Sequence, residues 1–129
     1  MPDIDDERET FIFHGTTLDV AERIVAQQQF ELRETYFAET RELAKYFAIR
    51  SLGRRRHQHR PAIIRVTLYE SDLRELRGAR LVSSEGFGAH DAPELRAKTQ
   101  LIFTPDGMHH LNVRMFKDEL AFEFVNVHN

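Results

Sequence analysis

The sequence contains no cysteine. That excludes a disulfide framework and any thiolate metal centre, and it makes an intracellular setting the simpler expectation. No apolar run is long enough to span a bilayer and no secretory leader pattern opens the chain, so a cytoplasmic protein without a membrane partner is expected. There is no excess of positive charge: the formal net charge is -3, which argues against bulk nucleic-acid binding while leaving local patches open. Internal repeats and low-complexity tracts are missing. So are two nucleotide-binding signatures. No Walker motif occurs, and "GFG" at Gly86 to Gly88 lacks the third glycine and the strand–helix setting of a dinucleotide fingerprint. His57 with His59, and His109 with His110, have no further ligand at a supporting spacing, so no metal is expected.

What remains is an ordinary globular composition, 41% hydrophobic, 30% charged and 10% aromatic over 129 residues. One domain is expected, long enough to bury a core without staples. Residues 1–10, "MPDIDDERET", are acidic with little to bury and read as a loose arm, leaving 11–129 as the domain. "FIFH" reads as a short buried strand. Thr16 or Thr17 can cap a following helix, Thr16 with Asp19 at capping-box spacing, and Ala21, Ile24, Val25 and Gln28 share a helical face that ends near Gln29. Tyr36-Phe37-Ala38 reads as a second strand. Thr40 caps the next helix, whose buried stripe is Leu43, Ala44, Phe47 and Ala48, with Gly53 at its C-terminal end. "AIIRVTLY" is the clearest strand. "ARLV" and "TQLIF" read as strands around a loop at 83–93, "TPDG" as a turn, and "LNVRMF" with "ELAFEFV" as a closing pair of strands. The order implies an α+β protein.

Three segments acquire meaning together: "FHGTT" followed by a helix, "YFAETRELAKY", and "KDELAFEFV". This succession resembles the His-Tyr-Glu class of ADP-ribosyltransferases, the class of the diphtheria-toxin and poly(ADP-ribose) polymerase catalytic domains. The likeness runs from about Phe11 to Val125. It implies an ADP-ribosyltransferase-like fold, with two packed, mostly antiparallel sheets and two early helices, and it implies NAD as substrate. His14 would then hydrogen-bond the adenosine-side ribose, and Gly15 would offer its backbone to the nicotinamide amide. Tyr36 would stack on the nicotinamide ring, with Tyr46 on the other face; Thr16, Phe37 and Ala44 complete the implied NAD-binding set. Glu119 would hold the nicotinamide ribose 2′-hydroxyl and stabilise the positive charge developing at the anomeric carbon. Strand alternation puts Glu119 and Glu123 on the same side, opposite Leu120, Phe122 and Phe124. The resemblance favours Glu119, with Glu123 as the alternative. Lys117, two positions before Glu119, disfavours an arginine acceptor.

The implied activity is mono-ADP-ribosyl transfer by an intracellular toxin or defence enzyme, restrained by an antitoxin or inhibitor protein. NAD hydrolysis on the same fold is the nearest alternative. The acceptor, protein or nucleic acid, lies beyond what the sequence specifies. Each residue also has a plain structural reading. A histidine at a strand end, taken alone, is more often a satisfied core residue, and tyrosines suit half-buried sites generally. The basic stretch Arg54-Arg55-Arg56-His57-Gln58-His59-Arg60 is most simply solvated surface; its functional reading is a phosphate-contacting patch of a non-catalytic nucleic-acid module.

Overall fold

Strand β3 (Pro61–Tyr69) is the hub, and its sequence says why. Ala62, Ile63, Ile64, Val66 and Leu68 are all buried, so both faces of the strand are covered. A half-exposed strand would alternate; a near-continuous β-branched run marks one sandwiched between layers. In the computed structural model, which describes residues 8–53, 60–88, 91–93, 95–96 and 98–125, ten elements follow one another. They are β1 (Glu9–Thr17), α1 (Leu18–Gln27), β2 (Thr35–Ala38), α2 (Arg41–Leu52), β3, α3 (Glu70–Gly78), β4 (Val82–Gly86), β5 (Thr99–Phe103), α4 (Pro105–Phe116) and β6 (Ala121–Val125). The class is α+β, as expected.

The strands form one six-stranded sheet in the order β4-β5-β2-β1-β3-β6, antiparallel at every junction. The expectation of two packed sheets gives way here, because helices take the positions a second sheet would need. On one face, α2 brings Leu43, Ala44 and Ala48 against Ala38 and Ile63. On the other, α1, α3 and α4 bring Ala21, Ile24, Leu73, Leu76, Met108, Leu111 and Met115 against Ile12, Phe37, Ile64, Val66, Leu101 and Phe103. The sheet nevertheless has a seam. β1 pairs with β3 at nine positions but with β2 at one, Phe13 opposite Ala38. Two three-stranded halves, β4-β5-β2 and β1-β3-β6, are thus joined at a single rung.

Several local expectations change. The first strand starts at Glu9, not Phe11, because Glu9 and Thr10 pair with Tyr69 and Leu68 and the Thr10 hydroxyl donates to Glu70 at 2.7 Å. The rest of the acidic arm, residues 1–7, lies outside the described residues. Of the two candidate caps, Thr17 is the N-cap of α1, but its side chain makes no capping bond; the Leu18 amide donates instead to the Arg60 carbonyl at 2.7 Å. Thr40 caps α2 as expected, accepting from the Leu43 amide at 3.2 Å. Gly53 ends α2 at φ 51, a conformation that favours glycine.

The largest correction is "TPDGMHHLNVRMF". It forms helix α4, not a turn and a strand. Thr104 is its N-cap, accepting from the Gly107 amide at 3.0 Å, and Pro105 occupies the first turn. Met108, Leu111 and Met115 are buried at helical spacing. The closing strand pair is therefore a single strand, β6, hydrogen-bonded to β3. "ESDLRELRG" adds helix α3, whose Asp72 accepts from the Tyr69 amide at 2.8 Å. Strand β4 runs through Gly86, into what composition marked as loop.

Candidate functional site

The seam opens a cleft of about 690 Å³, within the range of small-molecule sites. Past the Phe13–Ala38 rung, β1 continues on β3 while β2 turns away. His14, Gly15, Tyr36, Glu85 and Gln100 reach the cleft from the sheet, Arg23 and Ile24 from α1, Phe47 from α2, and Glu31 and Arg33 from the loop between α1 and β2.

His14 points to the face of α1 and α4, being two residues beyond core Ile12. Its ring packs against Phe30 and Phe37, with centroids at 5.7 and 5.5 Å. Across the seam its Nδ1 lies 2.9 Å from the Tyr36 carbonyl oxygen. A carbonyl only accepts, so Nδ1 carries the proton and the neutral ring keeps Nε2 as an acceptor. Burial of the ring pushes its pKa below the ordinary 6.5; the backbone hydrogen bond opposes this, and the Arg33 charge adds to it. A neutral imidazole with a free acceptor nitrogen suits a sugar hydroxyl as donor.

Gly15 is adjacent in sequence and faces the other way. A Cβ there would stand 2.1 Å from the Ala44 carbonyl oxygen and 2.8 Å from the Ala48 nitrogen. Glycine is thus demanded by the approach of α2 to β1. Ala44 lines no part of the cleft; its part is to meet Gly15.

Tyr36 is 45% exposed, while its neighbour Phe37 is wholly buried. Its hydroxyl donates to Glu34 at 2.6 Å, and that bond, with the nearby Glu34 and Glu85 charges, raises the phenol pKa. Phe37, implied for the NAD set, is instead core: its ring meets Phe30 at 5.6 Å and Phe103 at 4.9 Å and backs the imidazole. Thr16 pairs with Ala62 in the sheet and lines no part of the cleft. Tyr46 is also outside it, its ring under the Arg50 guanidinium and its hydroxyl accepting from Arg50 at 3.0 Å. Phe47, one position on, is the aromatic ring of α2 that lines the cleft.

Glu119 is not brought to His14 and Tyr36. Thr67 pairs with Phe11 on one side and Ala121 on the other, so the start of β6 is level with Phe11. Glu119 precedes that strand, just past the end of α4, where its amide donates to the Arg114 carbonyl at 2.9 Å, and β6 itself runs two strands over from β1. The Glu119 carboxylate accepts from Arg114 Nε at 3.0 Å, and Arg114 also pairs with buried Asp72. Glu123 is likewise engaged elsewhere, ion-paired with Arg65 on β3.

The cleft has carboxylates of its own. Glu31 lies between Arg23 and Arg33, and Glu34 holds the Tyr36 hydroxyl. Glu85, on β4, is approached by Gln100 Nε2 at 3.4 Å. Gln100 is buried and sits opposite Glu85 on one side and Ala38 on the other. Glu85, Gln100 and Tyr36 therefore share one face of three adjacent strands. Sequence reasoning missed Glu85 and Gln100 because one fell in a presumed loop and the other in an unremarkable strand. Phe30, Arg23 and Arg33 carried no signal beyond residue type. Among the described residues no group of three His, Asp or Glu side chains converges as a metal site. The basic stretch lies outside the described residues except for Arg60.

Comparison with protein-family models, with curated proteins and with solved structures finds no match to this chain.

Proposed function

We propose that the protein binds NAD in the seam cleft and transfers its ADP-ribosyl group to an acceptor. One observation carries the reading: the His14 imidazole, fixed by its bond to the Tyr36 carbonyl, offers an acceptor nitrogen from the α1 side of a cleft that the exposed Tyr36 ring lines from the α2 side. That pair suits a ligand with ribose hydroxyls and a flat ring. Tyr36 and Phe47 supply aromatic surfaces for stacking. Glu85 takes the part that the resemblance assigned to Glu119. Its carboxylate would accept from the ribose 2′-hydroxyl and stabilise the oxocarbenium-like charge as the glycosidic C–N bond breaks. The bonding pair leaves with the pyridinium nitrogen, giving neutral nicotinamide. The acceptor nucleophile then bonds to the anomeric carbon and loses its proton. Gln100 positions Glu85.

The test is nicotinamide release from labelled NAD, with cell lysate as acceptor. Glu85→Gln is expected to lower the rate at least a hundredfold, the scale of removing one electrostatic stabiliser of a transition state. Glu119→Ala is expected to leave it within about twofold. Label carried onto a macromolecule marks transfer, and label found only in free ADP-ribose marks hydrolysis. Loss of activity in Glu119→Ala with a folded chain, and none in Glu85→Gln, restores the original assignment.

A further inference from the structure

The same cleft holds a feature that the NAD reading does not use. Helix α1 presents Val20, Arg23, Ile24 and Gln27 to it, one stripe at helical spacing. Arg33 enters from the loop beyond. Both guanidinium groups turn to a single carboxylate: Arg23 Nη1 lies 3.6 Å from one oxygen of Glu31, and Arg33 Nε lies 3.3 Å from the other. Charge-assisted N–H to oxygen contacts ordinarily close to about 2.7–2.9 Å. Glu31 therefore spans the two cations loosely at both ends. Two phosphoryl groups joined by a bridging oxygen are larger than a carboxylate and carry more charge. The three side chains are more than half exposed, at 53, 57 and 72%, so solvent screens their ion pairs and leaves them readily exchanged.

We infer that Arg23 and Arg33 form a subsite for the diphosphate of the ligand, and that Glu31 is a built-in competitor which the diphosphate displaces. As to which ligand brings the diphosphate, the inference rests on the NAD reading. The device sets an affinity: the ligand must break two ion pairs to seat its phosphates. Glu31 also keeps the cation pair from binding a lone monoanion tightly, since a monoanion only matches what it removes.

Titration calorimetry on the full chain tests this with three probes: NAD, inorganic pyrophosphate and adenosine. Arg23→Gln and Arg33→Gln are each expected to weaken NAD and pyrophosphate about tenfold, and Glu31→Gln to tighten both about fivefold, the scale of releasing exposed ion pairs. Adenosine, which has no phosphate, is expected to be indifferent to all three changes. NAD binding that ignores the three substitutions, or that weakens in Glu31→Gln, overturns the subsite and leaves the NAD reading standing. Pyrophosphate following the pattern while NAD fails to bind keeps the subsite and removes the NAD reading. Failure of both probes to bind the wild type overturns both.

Discussion

Replacing Gly15 by alanine isolates the contact on which the cleft is built. The added methyl would lie 2.1 Å from the Ala44 carbonyl oxygen and 2.8 Å from the Ala48 nitrogen. Ordinary van der Waals contact begins near 3.4 Å, so α2 must retreat by about 1.3 Å at Ala44. Both obstructing atoms are backbone, and no rotamer change relieves them. Retreat would also loosen Leu43, Ala44 and Ala48 from Ala38 and Ile63. Overpacking costs ~1–3 kcal/mol where side chains can adjust, and a clash with helix backbone belongs at or above the top of that range. The offsetting gain from a less flexible unfolded chain is below ~1 kcal/mol. A net loss of ~3 kcal/mol is expected. With a urea slope of about 2 kcal/mol per molar, the midpoint should fall by about 1.5 M at unchanged slope. The assay is equilibrium urea unfolding followed by far-ultraviolet circular dichroism. A midpoint within about 0.25 M of wild type, ~0.5 kcal/mol at that slope, would refute the packing argument. Gly15 would then be free for the ligand-facing role that the sequence resemblance implies.

Two further outcomes follow from the charged groups. His14 has a folded-state pKa below 6.5, so between that value and 6.5 the unfolded chain binds more protons. Its contribution is therefore full above about pH 6.5 and is lost as pH falls through that window. His14→Gln should remove this part of the slope between urea midpoints at pH 5.5 and 7.5, and an unchanged slope would sink the argument. Arg114→Ala strands buried Asp72 and should cost ~3 kcal/mol by the same unfolding assay, whereas Glu119→Ala, on the exposed side of that arginine, should cost under ~1 kcal/mol. Equal losses in the two would refute the view that Glu119 is the outer, weaker partner.

The legible parts of the fold were those with strong local grammar. Thr40, the stripe Leu43-Ala44-Phe47-Ala48 and Gly53 mark α2 at both ends and along its buried side, and the helix is where they put it. β3 was legible because a near-continuous run of buried aliphatic and β-branched residues has few alternatives. "TPDGMHHLNVRMF" was misread through a real ambiguity: Thr-Pro-Asp-Gly serves equally as a turn and as a helix start. Met108, Leu111 and Met115 resolve it only if the window is read across the supposed turn. The carboxylate proposed for the cleft was illegible for a different reason. Glu119 and Glu85 are both exposed glutamates in polar surroundings, and no local property separates them. What separates them is strand order. β5 lies beside β2 and carries β4 on its outer edge, so Glu85 falls level with Gln100 and Ala38, whereas Glu119 precedes a strand on the far side of β3; that is long-range pairing which no window of sequence contains.

The His14-Gly15 pair at a strand end now has a physical account. Successive residues of a strand face opposite ways, so the pair addresses two layers at once. His14 turns to the side of α1 and ties β1 to the Tyr36 carbonyl where the ladder with β2 has run out. Gly15 turns to the side of α2 and lets that helix come down onto the strand. A larger residue at the second position would lift α2, and with it Phe47, away from the cleft. An apolar residue at the first would leave the Tyr36 carbonyl without its partner at the edge of the seam. Neither residue is replaceable by one that does the other's work. The dipeptide is thus a structural requirement of a split sheet, whatever ligand the split receives.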